Sequence, residues 1–342
     1  MPTLSTVPFG TTGMTVSRVG LGAFAIGGPR WSHGWGAQDD DASIATIRHA
    51  VEHGVNWIDT AAVYGYGHSE RVVARAVSGF AEADRPYLFT KCAVVWNEDG
   101  TEESRVASPD SLRRELDDSL RRLDVDQIDL YQVHWPPLDG TGVDEYWQVL
   151  VEMKQSGKVR AIGLSNHDCD GLEAAEAIGH VDSLQPPLSA LRRDAAADVI
   201  PWCRRHDTAV IVYSPMQSGL LTGAFDAARA AQLAADDWRS RHPDFTGDQL
   251  SSNLAVAGTL GKIAAELGAS TGAVAVAWTL AVPGVTGAIV GARTPAQVDD
   301  WLAAGELRLS AEHLDAIADT IAATGAGTGP VRVAISTGKE VR

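Results

Sequence analysis

Cysteine is scarce in this chain. Cys92, Cys169 and Cys203 are odd in number and far apart, which argues against a disulfide framework or a cysteine-built metal site and fits a reducing, cytoplasmic compartment. Positive charge is scarce too: 28 Lys and Arg against 44 Asp and Glu leave a net charge of −16. A chain so acidic repels nucleic acid and anionic membranes, and no Lys/Arg cluster reverses that locally. Long apolar runs are missing, the longest being AVAVAWTLAV at 273–282, about half the ~20 residues of a membrane span. The opening MPTLSTVPFG has neither a basic region nor an apolar core, so no signal peptide is expected. No linker or low-complexity segment divides the 342 residues, and one domain over 1–342 is expected. Nothing in the sequence sets an oligomeric state.

What is present is alternation. PFGTTGMTV reads as a hairpin turning at Gly10–Gly13. Eight short apolar strands then follow, at 18–24, 55–60, 87–92, 128–134, 159–166, 182–189, 208–215 and 287–292. Each leads to a helical pattern, the clearest being 108–125, where Ser108 reads as the cap, Pro109 as the first residue, and Leu112, Leu116, Leu120 and Leu123 as one face. Eight such units predict a closed (β/α)₈ TIM barrel with an N-terminal β-hairpin and an extra C-terminal helix at 310–323.

In such a barrel, chemistry belongs at the C-terminal ends of the strands, and polar residues gather there. Asp59, Lys91 and His134 close neighbouring strands, and Tyr64 follows Asp59 in the Gly-punctuated loop IDTAAVYGYGHSE. Each alone is unremarkable: a snorkelling lysine, a turn aspartate, a core histidine, a loop tyrosine. Together they can converge. Asp59 would keep Lys91 charged, Lys91 would draw the Tyr64 phenol down toward neutrality as a general acid, and His134 would orient a carbonyl oxygen. Ser69 reads as the cap of the helix after this loop.

A second group forms a shelf. Ser165, Asn166, Gln185, Tyr213, Ser214 and Pro215 bring amide, hydroxyl and aromatic groups to adjacent strand ends, suited to a carboxamide-bearing ring. Gly291, Ala292 and Arg293 precede a helix capped by Thr294, which makes an anion site for dinucleotide phosphates. Trp31, Trp96 and Trp135 lie just beyond strand ends and can wall a substrate pocket. The segment GLGAFA (20–25) fits a dinucleotide fingerprint, but IGGPRWSHGWG follows it, which is no helix, so that reading fails. His49 and His53 are one helical turn apart, with no third ligand in sight, and no metal is expected.

These residues carry a resemblance. NWIDTAAVYGYGHSE, LFTKC, YQVHWP, RAIGLSN, SLQPP, YSPMQSGLLTG and VGARTPAQV, in that order from about residue 7 to 304, resemble the aldo-keto reductases. WSHGWGAQDDD and LQPPLSALRRD are similar to stretches of bacterial members that act on aldehydes and sugars. The resemblance implies a barrel that binds NADPH, with NADH possible, and reduces a small-molecule carbonyl to an alcohol. It implies Tyr64 as proton donor, tuned by Lys91 and Asp59, with His134 orienting the substrate. It puts Ser165, Asn166, Gln185 and Tyr213 at the nicotinamide, and Arg293 with Gln297 at the adenosine phosphate. The chain departs from the family pattern at Trp301, where many relatives carry Asn, at Ala292, where Ser is common, and at Leu188, where Tyr is frequent. Two other readings compete: a nicotinamide-binding redox sensor without significant turnover, and a Schiff-base lyase on Lys91, which the Asp59 pairing opposes.

Overall fold

The computed structural model describes residues 4–28, 31, 34, 36, 38–234 and 237–333. A hairpin of β1 (Thr6–Pro8) and β2 (Thr15–Ser17) comes first. The barrel units follow: β3 (Val19–Gly22) with α1 (Asp40–Glu52), and β4 (Trp57–Asp59) with α2 (His68–Val77). After β5 (Tyr87–Cys92) comes a small antiparallel hairpin, β6 (Val95–Trp96) and β7 (Glu103–Ser104), then α3 (Pro109–Leu123). Next are β8 (Ile128–Val133), α4 (Val143–Gln155), β9 (Val159–Ser165), α5 (Cys169–Glu176), β10 (Ser183–Gln185) and α6 (Val199–Arg205). The chain continues through β11 (Ala209–Val212), α7 (Ala227–Ala231), α8 (Gly247–Leu267) and α9 (Thr271–Leu280). It ends with β12 (Gly287–Gly291), α10 (Pro295–Leu302) and α11 (Ala311–Thr324).

Eight parallel strands close on themselves in the order β10-β11-β12-β3-β4-β5-β8-β9. The (β/α)₈ barrel, its leading hairpin and its extra helix are therefore as expected. Differences lie at element ends. Ser108 precedes α3 without a side-chain cap bond. The segment 194–206 reads in the sequence as a helix in which Pro201 can start a second segment, and the structure does split it: a single turn at Asp194–Ala196 stops, and α6 begins at Val199, two residues before the proline. Pro201 thus falls in the first turn, where a missing N–H costs nothing. The β6–β7 hairpin was not anticipated, although NEDG at 97–100, between Trp96 of β6 and Glu103 of β7, is a turn signal.

Period-2 alternation decides what each strand aims inward. Trp57, Phe89, Leu130, Ala161, Ile211 and Ile289 form one inner cluster, while Ile58, Leu88, Cys92, Tyr131 and Val133 join the outer core beneath the helices. Phe9, Met14 and Val16 of the leading hairpin pack into the inner cluster. The hairpin loop meets the start of the strands, since Ala209 lies near Gly10 and Trp57 Nε1 donates to the Ser17 carbonyl at 2.8 Å. The N-terminal end of the barrel is thereby plugged with apolar side chains, and polar inner residues occur at the other end. No single helix among the described residues is long and apolar enough to cross a membrane.

Gly20 makes room for this plug. A Cβ there would lie 2.2 Å from the fully buried Trp57 indole. Gly20→Ala should therefore destabilise the fold by about 1–3 kcal/mol through overpacking, read as a lower urea midpoint. Combining it with Trp57→Leu should recover part of that loss, and a Gly20→Ala chain of unchanged stability would contradict this packing.

Candidate active site

The charged centre begins with Lys91, the last inward residue of β5. Its side chain is buried, so an ammonium here needs partners. It has three: Nζ donates to Asp59 Oδ1 at 2.5 Å, to the Thr60 carbonyl at 2.9 Å, and to the Tyr64 hydroxyl at 3.4 Å. The other carboxylate oxygen, Asp59 Oδ2, accepts from Gln185 Nε2 at 2.9 Å, and that amide also lies 3.3 Å from Gln132 Oε1. Asp59 and Gln185 thus face each other across the barrel although 126 residues apart.

Tyr64 reaches this pair through a run of left-handed backbone. Gly65, Tyr66 and Gly67 have φ of 62°, 57° and 83°, and only glycine adopts such values at no steric cost. Gly65 is also pressed on Gly27, whose carbonyl oxygen would be 1.8 Å from an added Cβ. The chain therefore doubles back, and Tyr64 lands over Lys91. Ser69 does not cap α2, which starts at His68 behind Gly67. Its hydroxyl instead donates to the Ala23 carbonyl at 3.0 Å and meets Thr60 Oγ1 at 2.9 Å, tying the loop to β3 and β4.

His134 stands beside Tyr64, ring centroids 5.7 Å apart. Burial, then the charges of Lys91 and Arg105, hold its imidazole well below the ordinary value, so it is neutral at physiological pH. The tyrosine differs from expectation. Burial pushes the Tyr64 phenol well above its ordinary value, and the Asp59 carboxylate adds to the push. Lys91 does not bring it toward neutrality, because Asp59, at 2.5 Å from Nζ, cancels most of the lysine field. Burial likewise lowers Lys91, against the opposing pull of Asp59. In this state Tyr64 is a neutral phenol that accepts from Lys91 and holds its own proton.

The three tryptophans gather round this centre. Trp31 lies 5.2 Å from the Tyr64 ring, and Phe24 5.1 Å from it. Trp96 packs on Tyr66 at 5.4 Å, and Trp135 lies under the Arg105 guanidinium at 4.5 Å. The hairpin after β5 ties the wall together: Glu103 accepts from Trp31 Nε1 at 2.8 Å and from the Tyr66 hydroxyl at 3.3 Å. Ser32, His33, Trp35 and Ala37 of the WSHGWGAQDDD stretch lie outside the described residues.

On the shelf, Tyr213 donates to Asn166 Oδ1 at 2.7 Å, and Asn166 Nδ2 donates to the His134 carbonyl at 3.0 Å and to Ser165 Oγ at 3.1 Å. Ser165 Oγ donates to the Gln185 carbonyl at 2.9 Å. Asn166 and Ser214 have φ of 60° and 58°, and Pro215 is buried at the start of the next loop. This group of amides, hydroxyls and a half-buried phenol suits a nicotinamide: amide oxygens retain a second lone pair, and the Asn166 and Tyr213 side chains are already oriented. At the far edge, Gly291 ends β12, Ala292 is buried, and Thr294 caps α10 by accepting from the Gln297 N–H. Gln297 itself is turned back, its Oε1 accepting from the Arg293 N–H at 2.7 Å. Residues 216–282 read in the sequence as loop and helix; within them Trp238 stacks edge-on with His242 and Phe245 at 5.2 and 5.7 Å.

This geometry has counterparts. The model of the aldo/keto reductase family matches residues 18–322. The chain belongs to the aldo/keto reductase family. An aldo-keto reductase of Bacillus subtilis is 36% identical, over 84% of this chain and 85% of its own. The NADH-specific methylglyoxal reductase of Escherichia coli is 35% identical, over 89% of this chain and 94% of its own. The solved glycerol dehydrogenase of Gluconobacter oxydans superposes with a TM-score of 0.86 at 35% identity, covering 95% of this chain and 97% of the other. The chain is accordingly an oxidoreductase that reduces a carbonyl to an alcohol with a nicotinamide cofactor.

Sequence reasoning missed several neighbours of the site. Gln132 is a polar residue at an inward position of β8, a signal that strand alternation offered. Glu115 of α3 carried no signal, because its role depends on tertiary contact. It accepts from the Ala93 N–H at 2.9 Å and from Ser111 Oγ at 3.1 Å, holding Ala93 at φ 66° two residues after Lys91. Burial, opposed by these bonds and by Arg122 and Arg114, raises its carboxyl to about 7. The folded chain then binds this proton more tightly than the unfolded one, so stability falls as pH rises from the ordinary glutamate value to about 7. Glu115→Gln should flatten that slope, worth roughly 3 kcal/mol across the window. Denaturant titrations at pH 5 and 8 measure it, and equal pH dependence in the two proteins would refute the assignment.

Proposed function

We propose that this enzyme prefers NADPH and reduces aldehydes, ketones or sugar carbonyls, with Tyr64 as proton donor. The observation that carries the proposal is the Asp59–Lys91 pair bonded beneath the Tyr64 hydroxyl, with His134 alongside. When bound, the dihydronicotinamide supplies the hydride. Ser165, Asn166, Gln185 and Tyr213 would hold its ring end, and Arg293 the phosphate of the adenosine end.

The chain's own residues then act on the substrate oxygen. A neutral His134 donates a hydrogen bond to the carbonyl and orients it without protonating it. Tyr64 gives its proton as negative charge develops on that oxygen. The phenolate left behind is a charge next to Lys91 Nζ, so the lysine acts where the charge appears, on the donor after transfer. A resting phenol with a raised pKa is fully loaded at neutral pH, the state that reduction requires. The aromatic wall of Phe24, Trp31, Trp96 and Trp135 excludes water and favours a compact, apolar-bodied substrate. Schiff-base chemistry on Lys91 has no support, because Asp59 at 2.5 Å favours its charged, non-nucleophilic form. The three free cysteines support a cytoplasmic setting.

NADPH preference rests on Arg293, a half-buried guanidinium at the start of α10. The NADH-specific Escherichia coli relative is the counterweight.

Tyr64→Phe should lower kcat for 4-nitrobenzaldehyde by at least about 10²-fold while NADPH still quenches the protein fluorescence. Full turnover in that variant would sink the mechanism. Because the phenol's pKa is raised, reduction should not lose rate between pH 6 and 8, whereas alcohol oxidation, which needs the phenolate, should climb through the alkaline range. A pH–kcat profile run in both directions tests the sign.

A further inference from the structure

Arg293 is held in a way that its own loop does not explain. Gln38, two residues ahead of α1, meets it twice. Gln38 Oε1 accepts from Arg293 Nε at 2.6 Å, and Gln38 Nε2 donates to the Arg293 carbonyl at 3.0 Å. A third bond runs from the Arg293 N–H to Gln297 Oε1. The partners are 255 residues apart, yet α1 and α10 are packed neighbours, further joined by His49 and Asp299 at 2.7 Å. One neutral amide thus grips both the backbone and the guanidinium of a single residue.

The choice of atoms matters. Nε is the stem-side donor of the guanidinium, and a bond there fixes the plane of the fork. A fork already oriented loses less side-chain freedom when it meets a phosphate. A neutral amide adds no counter-charge to the guanidinium, whereas a carboxylate at position 38 would. The neighbouring positions offer little else: Ala292 has no polar side-chain atom, and Trp301 is buried with its indole N–H unbonded.

We propose that Gln38 is a positioning residue for cofactor choice, orienting Arg293 to receive the 2′-phosphate that distinguishes NADPH from NADH. The inference rests on the NADPH preference proposed above. The clamp acts through Arg293 alone, so its loss should touch NADPH and spare NADH.

The test measures Kd for NADPH and NADH, by quenching of tryptophan fluorescence, in the wild type, Gln38→Ala, Gln38→Glu, Arg293→Ala and the Gln38→Ala/Arg293→Ala double variant. Gln38→Ala should cut the NADPH-to-NADH affinity ratio about tenfold with NADH binding unchanged. Gln38→Glu should cut it further, since its carboxylate neutralises Arg293 and repels the phosphate. In the Arg293→Ala background, removing Gln38 should change nothing. A ratio that is unmoved or raised in Gln38→Ala overturns the clamp and leaves the NADPH preference standing. So does an effect that persists without Arg293. A wild type that binds both cofactors equally overturns both.

Discussion

The mouth of this barrel is organised around one buried charge. Lys91 is fully enclosed, and an ammonium in such a place survives only if its surroundings replace water. Asp59 supplies the counter-charge, Thr60 a carbonyl, and Tyr64 an oxygen, each from a different point of the β4 strand and its loop. The requirement spreads outward. Asp59 needs a partner for its second oxygen, and Gln185 provides it from the opposite wall. Tyr64 must return over the pair, so the loop after β4 takes three left-handed residues in succession. The trace of that loop is largely dictated by what Lys91 needs.

The same ion pair explains why the acid–base balance of the site differs from the simplest electrostatic argument. A lone cation beside a phenol would favour the phenolate. A cation already matched by a carboxylate at 2.5 Å presents little net field, and burial then governs. The phenol remains protonated until something takes its proton. Holding a donor loaded and a stabiliser in reserve is a coherent arrangement for a group that must give up a proton only when charge develops on its partner.

Much of this was legible in the sequence. Short apolar runs alternating with helical patterns gave the eight strands and put Asp59 and Lys91 at the C-terminal ends of neighbouring ones. Ordered motifs along the chain carried the family. Helix boundaries were less legible: Ser69 and Ser108 looked like caps, yet a serine caps only if its hydroxyl is not wanted elsewhere, and Ser69 is bonded to Ala23 and Thr60. The pairings Asp59–Gln185, Glu115–Ala93 and Gln38–Arg293 were out of reach. Each joins residues whose proximity comes from barrel closure or helix packing, which no local pattern encodes. The phenol's direction of shift was misjudged for a related reason, since it depends on the distances among three groups.

The apolar plug at the N-terminal end has a consequence for traffic. With Phe9, Met14 and Val16 filling that end, the approach to Tyr64 among the described residues is from the strands' C-terminal side. Two ligands that meet at Tyr64 must share it, so whichever lies deeper has to arrive first and depart last. A closed floor thereby imposes an itinerary on the visitors, set by wall-building residues that never touch them.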